Sequence, residues 1–303
     1  MLARIQQLIT LGTAAIALAW AVASWRAGCA PCALLGLVFI LCAYAGFLAI
    51  EFALVAAIHG ADPTPRPQPA QLLRAWWGEL VAAPVVFCWR QPFQSHRVAD
   101  HVPADGHGRR GVVLVHGFVC NRAIWNPWLD KLTAGNTPFV AVNLEPVFGS
   151  VDEYACIIDA AVRRVRQCTG VAPLVVAHSM GGLAVRRWLA NAGRAEDVHH
   201  IITIATPHQG TWLARFGFSR NSRQMRQGSR WLRMLSQSEP ANLGAGFTCF
   251  YGDCDNIVFP PQCATLPGAD NRLLSAVAHV HMTSRAEPWH ELQRLINQPP
   301  LPN

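Results

Sequence analysis

Lysine is almost missing from this chain of 303 residues: of its 25 basic side chains, only Lys131 is a lysine. That bias reflects genome composition rather than chemistry. No block of arginines gathers into a nucleic-acid-binding arm, so a nucleic-acid partner is not expected, and the net charge of +7 suits an anionic lipid surface better. A disulfide framework is missing too. Of ten cysteines, Cys29, Cys32 and Cys42 fall in an apolar N-terminal region, and the other seven are odd in number and irregular in spacing, as expected of small core residues. Cys29-Ala-Pro-Cys32 has CxxC spacing, but no second pair or histidine cluster completes a zinc site, so neither a metal nor a redox role is expected there. There is no internal repeat, and no low-complexity tract beyond one proline-rich stretch.

Charge is absent from two long N-terminal runs, residues 8–25 and 27–50, which only Arg26 separates. Each meets the roughly 18–20 residues that a helix needs to cross a hydrocarbon core. A hydrophobic fraction of 51% and a positive mean hydropathy agree with membrane residence. The first run is long for a signal-peptide core and a second follows at once, so residues 1–60 are expected to form a two-helix transmembrane hairpin. Glu51 falls near the interface at the end of the second span, where a carboxylate is tolerated without a function. Arg4, Arg66 and Arg74 outnumber the lone Arg26 between the spans, which puts both termini in the cytoplasm by the positive-inside rule. Unpaired cysteines further on agree with a reducing compartment.

Residues 61–110 read as linker and juxtamembrane segment. Asp62 to Pro69 carries four prolines and cannot continue a helix. Gln71 to Val81, with Trp76 and Trp77, is expected to be a short interfacial helix. From Gly111 the pattern changes. Apolar, β-branched runs at 112–116, 138–142, 173–177, 201–205, 247–251 and 273–278 alternate with helical stretches, notably 152–167 and 181–192. That alternation predicts a mostly parallel sheet with helices on both faces over residues 111–303.

Val175-Val176-Ala177-His178-Ser179-Met180-Gly181-Gly182 runs from a buried strand directly into a helix pattern. Small residues two before and two after the serine let strand and helix pass closely, so Ser179 has the context of a nucleophile elbow. His178 is adjacent, but neighbours on so tight a turn point apart. It is expected to pack the elbow. A serine hydroxyl needs a base to take its proton, and a carboxylate to orient that base. In this order of elements both lie C-terminal to the serine. Asp255, preceding Asn-Ile-Val-Phe-Pro, is preferred to Asp253 as the acid, and His279, first after the last strand, is preferred to His281 as the base. Upstream, Val115-His116-Gly117-Phe118 ends another strand. The backbone N–H groups of Phe118 and Met180 are the expected oxyanion-hole donors, with Gly117 permitting the turn and His116 bonding the loop.

His116-Gly117-Phe118, Ala177-His178-Ser179-Met180-Gly181-Gly182 and Ile204-Ala205-Thr206-Pro207-His208-Gln209-Gly210-Thr211 together resemble bacterial lipases and esterases of the α/β-hydrolase superfamily. The likeness covers about residues 111–297. It implies the α/β-hydrolase fold, ester hydrolysis through an acyl-enzyme on Ser179, and no cofactor or metal. The likeness leaves the hairpin unexplained; it is the hairpin that favours a lipid among small-molecule esters as substrate and a bacterial inner membrane as location, with the hydrolase domain on the cytoplasmic side by the arginine count. The family's variable cap or lid is expected at about 211–246. There Arg220, Arg223, Arg226, Arg230 and Arg233 would share one face of a continuous helix, unless Gly228 divides it, and that face either meets acidic headgroups or is a solvated basic face over an ordinary cap helix. Acyl transfer to another acceptor and thioester cleavage use the same triad and stay open beside hydrolysis. So does a catalytically silent membrane scaffold of the same fold.

Overall fold

The computed structural model describes residues 1–191 and 195–298. Residues 299–303, at the end of the expected hydrolase segment, and residue 192, at the end of an expected helix, lie outside the described residues. Two long apolar helices come first, α1 (Leu2–Arg26) and α2 (Ala30–Ile58). Gly28, in the left-handed region at φ 77°, turns the chain between them, and Cys29 and Cys32 form a disulfide at this tip. Most of both helices is bare, but their other ends are packed: Leu2 and Gln6 of α1, and Leu48, Glu51, Phe52 and Val55 of α2, are buried. By length and composition, α1, α2 and the stretch Pro69–Phe93 can each cross a membrane.

That third stretch starts with α3 (Pro69–Pro84), passes through a π turn at Val85–Arg90 and ends in α4 (Gln91–Phe93). It is longer than the short interfacial helix expected over 71–81. Ala75 and Glu79 on its inner face are fully covered, Ala75 packing with Cys254 and Ala278, so α3 lies against the following domain. The proline stretch before it is non-helical up to Gln68, as expected, yet tied down: Asp62 accepts the amide of Gln262 at 2.8 Å.

The domain itself is an open six-stranded sheet, β1 (Val112–Val115), β2 (Phe139–Ala141), β3 (Leu174–His178), β4 (His200–Ile204), β5 (Phe247–Gly252) and β6 (Asp270–Leu274). Its order is β2-β1-β3-β4-β5-β6 and every pairing is parallel. Strands covered on both faces must be apolar, which is why β1, and β3 as far as Ala177, read as runs of aliphatic side chains. One face is packed by α6 (Ala155–Thr169) and α7 (Met180–Asn191) through Ile158, Val162, Leu183 and Trp188. The other is packed by α5 (Asn126–Ala134) and α10 (Ala286–Ile296) through Trp128, Leu129, Leu292 and Leu295.

Five strands fall within a residue or two of the expected runs. β6 does not. The polar Asp270-Asn271-Arg272 forms the edge strand, and the apolar Val277 and Ala278 are buried as a loop instead. The cap also differs from one long basic helix. Gly228, at φ 63°, divides it into α8 (Arg220–Gln224) and α9 (Arg230–Ser238). The arginines are thereby dispersed: Arg226 donates to the carbonyls of Ala214 and Gly217, Arg233 to that of Gly228, and Arg220 pairs with Glu153.

Candidate active site

All strands of a parallel sheet end on the same side, so the loops leaving β1, β3 and β5 and the one following β6 converge there. Between β3 and α7, Ser179 sits at φ 54°. A non-glycine residue held in that region costs about 1–3 kcal/mol, and the surroundings fix it. Its N–H donates to Ile204 at 2.9 Å and its carbonyl accepts from Gly182 at 3.0 Å. The β1 loop presses on it so closely that a Cβ on Gly117 would lie 2.7 Å from Ser179 Cβ and 3.2 Å from its Oγ. Only a hydrogen atom fits there.

Past β5, Asp255 is buried, and its Oδ1 accepts the amides of Ile257 and Val258 at 2.9 and 2.8 Å. These bonds turn the carboxylate back towards the loop after β6. There His279 Nδ1 lies 3.0 Å from both Asp255 oxygens. Burial alone would depress the imidazole, but the Asp255 carboxylate, helped by Glu79 and Glu51, carries it above its ordinary value. Asp253 is engaged elsewhere, accepting from the Ser275 hydroxyl at 2.6 Å and the Ala276 amide at 2.8 Å. His281 faces α3, and a Cβ on Gly78 would come within 2.2 Å of its Nδ1. The structure therefore joins His279 to Asp255, and joins neither Asp253 nor His281 to that pair.

His178 lies beneath: its Nε2 is 3.3 Å from the His279 carbonyl and the two rings are 4.7 Å apart. Burial, reinforced by the neighbouring His279, holds His178 well below the usual imidazole range, so it stays neutral and donates to that carbonyl. His116 accepts the Leu144 amide at Nε2 and bonds the Gly117 carbonyl through Nδ1, which fixes the Nδ1–H tautomer. Burial pushes its pKa down to about 4. The β1 loop that His116 braces carries Phe118, followed by Val119 at φ 52°. Among the described residues, the amide N–H groups of Phe118 and Met180 donate to no backbone carbonyl.

A cavity of about 140 Å³ opens beside Ser179, lined by Phe118, Pro207, Leu213, Met225, Ile257 and Val258. Its cap side is tied to the acid loop by Thr211, whose hydroxyl donates to the Ile257 carbonyl at 2.6 Å. The Ala205–Thr211 segment is braced from the other side by Arg186, which donates to the His208 carbonyl and forms a buried two-pronged pair with Glu239.

Three residues that sequence reasoning passed over also meet this site. Asn256 Oδ1 accepts the His279 amide, Glu51 accepts from Asn256, and Glu79 accepts from the two residues after His279. Glu51 is therefore not the idle interfacial carboxylate that its position at the end of the second span predicts. No local pattern marks these residues, because each contact spans about two hundred positions or links a side chain to a backbone group.

A sequence model described as the Alpha/beta hydrolase family matches residues 112–298. Among curated proteins, none matches the chain in sequence. Solved structures share the fold. The mature form of the Bacillus licheniformis lipase BlEst2 is 17% identical, with a TM-score of 0.56 over 64% of this chain and 95% of that one. Aspergillus fumigatus lipase B is 20% identical, also at 0.56, over 67% of this chain and 57% of that one.

Proposed function

Because this chain belongs to the Alpha/beta hydrolase family, we propose that it is a membrane-anchored serine hydrolase that cleaves carboxylic esters of lipid-like substrates. The observation that carries this reading is the conjunction of a serine at φ 54° on the β3–α7 turn with a buried carboxylate–imidazole pair at 3.0 Å on neighbouring loops.

Ser179 Oγ attacks the ester carbonyl carbon as its proton passes to His279 Nε2, while Asp255 holds the Nδ1–H and stabilises the imidazolium. The negative charge that forms on the carbonyl oxygen is met by the N–H groups of Phe118 and Met180, each such donor being worth about 10²–10³ in rate. Collapse breaks the carbon–oxygen bond to the alcohol, which leaves with the proton from His279. Water then attacks the acyl-enzyme, again giving its proton to His279, and Ser179 recovers that proton as the acid departs. The apolar cavity receives the acyl chain. The bare faces of α1 and α2 hold the domain at a bilayer, from which an amphiphilic ester reaches the site.

Turnover of p-nitrophenyl esters by the purified full chain tests this directly. Ser179→Ala is expected to lose about 10⁴-fold or more in kcat. Activity that survives the substitution would overturn the assignment.

A further inference from the structure

Each of the N-terminal helices touches a different loop of the proposed site. At the start of α1, buried Gln6 donates to the Gln91 side chain and, at 3.5 Å, to the carbonyl of Val119, the residue after Phe118. At the end of α2, Glu51 accepts from Asn256 Nδ2 at 2.7 Å, and Asn256 Oδ1 accepts the His279 amide at 3.2 Å. From α3, Glu79 offers one carboxylate oxygen to the Val280 amide at 3.1 Å and the other to the His281 amide at 3.0 Å. The amides of three consecutive residues, beginning with His279, are thus held from outside the sheet domain, the first from α2 of the hairpin through Asn256 and the next two from α3.

Attachment to a membrane does not require this. A carboxylate taken out of water is costly unless its oxygens are bonded, and an apolar side chain would fill the same space without that cost. Glu79 is only 2% exposed, and its two oxygens are taken up by the amides of Val280 and His281. What the buried carboxylates add is direction and charge. They fix the backbone from which the His279 ring projects, and they act on the ring together with Asp255, while neutral His178 packs it from below.

We infer that Glu79, with Glu51 acting through Asn256, is a positioning residue for His279, so that the membrane anchor is part of the catalytic geometry. The inference rests on the reading of Ser179, Asp255 and His279 given above. It also treats the hairpin as a brace whose removal disturbs the base as well as the attachment.

The test uses the full chain in detergent micelles, with Glu79→Gln and Glu79→Asp. Glutamine keeps the size but sets an NH₂ group against one of the two amide donors and removes the charge. Glu79→Gln is expected to lower kcat by about 10²-fold while KM changes by less than about threefold. The His279 imidazole titration, followed by NMR of histidine-labelled protein and assigned with His279→Gln, should move to lower pH. Glu79→Asp, which retains the charge, should restore part of that position. An unchanged kcat, or a loss with the titration unmoved, would overturn the inference. Should Glu79→Gln fail to fold, Glu51→Gln carries the test, since it keeps an acceptor for Asn256 and removes only charge. An unmoved titration there overturns the inference equally. The titration does not depend on turnover, so a shift in a chain that cleaves no ester would sink the hydrolytic reading and leave the positioning role standing.

Discussion

His279 Nδ1 is equidistant, at 3.0 Å, from the two carboxylate oxygens of Asp255, whose Oδ1 is itself held by the amides of Ile257 and Val258. The carboxylate cannot rotate away, and it selects the tautomer that leaves Nε2 free to accept a proton. Asp255→Asn keeps the shape but reverses this selection, and should cost about 10⁴-fold in kcat. Asp253→Asn disturbs only the bonds to Ser275 and Ala276 and should cost less than about tenfold. Steady-state kinetics of the two variants, side by side, separate the roles.

The pH dependence follows from His279. Its pKa is raised above the ordinary 6.5, the Asp255 charge overcoming the effect of burial. Catalysis needs the neutral ring, so kcat/KM should fall on the acid side with a midpoint above that of a free histidine. Stability runs the opposite way. A raised folded-state pKa means that the stabilising contribution is fully present below the unfolded value and is lost as pH rises through the folded value. Thermal melts and activity, measured over the same pH series, should therefore show opposite trends for this group, and His279→Gln should remove both.

Gly117 leaves no room for a side chain, a Cβ there lying 2.7 Å from Ser179 Cβ. Gly117→Ala must push either the serine or the loop that carries Phe118. Loss of one oxyanion donor corresponds to about 10²–10³ in kcat, and a fall of that size is expected together with a lowered melting temperature, since overpacking of this kind costs about 1–3 kcal/mol.

The acyl cavity, at about 140 Å³, is smaller than the roughly 300–1,000 Å³ of typical small-molecule pockets. Short p-nitrophenyl esters should therefore be turned over faster than palmitate. Met225 forms part of its wall, and Met225→Ala should move the optimum towards longer chains. An unchanged chain-length profile would remove the cavity from the account of specificity.

The hairpin makes a topological prediction. The packed ends of α1 and α2 lie at the domain, whereas the Cys29–Cys32 disulfide lies at the opposite end of helices roughly 37 Å long or more. Spanning the bilayer therefore puts the disulfide on one side, and Cys88 and Cys156, both free and exposed, on the other. An impermeant maleimide added to intact cells after mild reduction should label Cys29 and Cys32 and spare Cys88 and Cys156. The reverse pattern would invert the orientation.

Much of this architecture could be read from residue patterns. Strands covered on both faces must be aliphatic, so five of the six announce themselves, and the sharp β3–α7 turn leaves its mark in the small residues flanking Ser179. β6 does not announce itself, because an edge strand tolerates Asp270, Asn271 and Arg272, while the apolar Val277-Ala278 that imitates a strand is buried as a loop. The division of the cap turns on the conformation of one residue, Gly228, which helical spacing alone does not register. Glu51 and Glu79 were illegible for a deeper reason. Their partners, Asn256, Val280 and His281, lie about two hundred residues away, and two of the three are met through backbone amides that carry no sequence signature.

The most direct measurement is mass spectrometry of the full chain after exposure to a fluorophosphonate. The account predicts a single phosphonyl adduct on the peptide bearing Ser179, absent in Ser179→Ala and formed far more slowly in His279→Gln. A well-folded wild-type chain that takes no label, or a Ser179→Ala chain labelled at the wild-type rate, would contradict it.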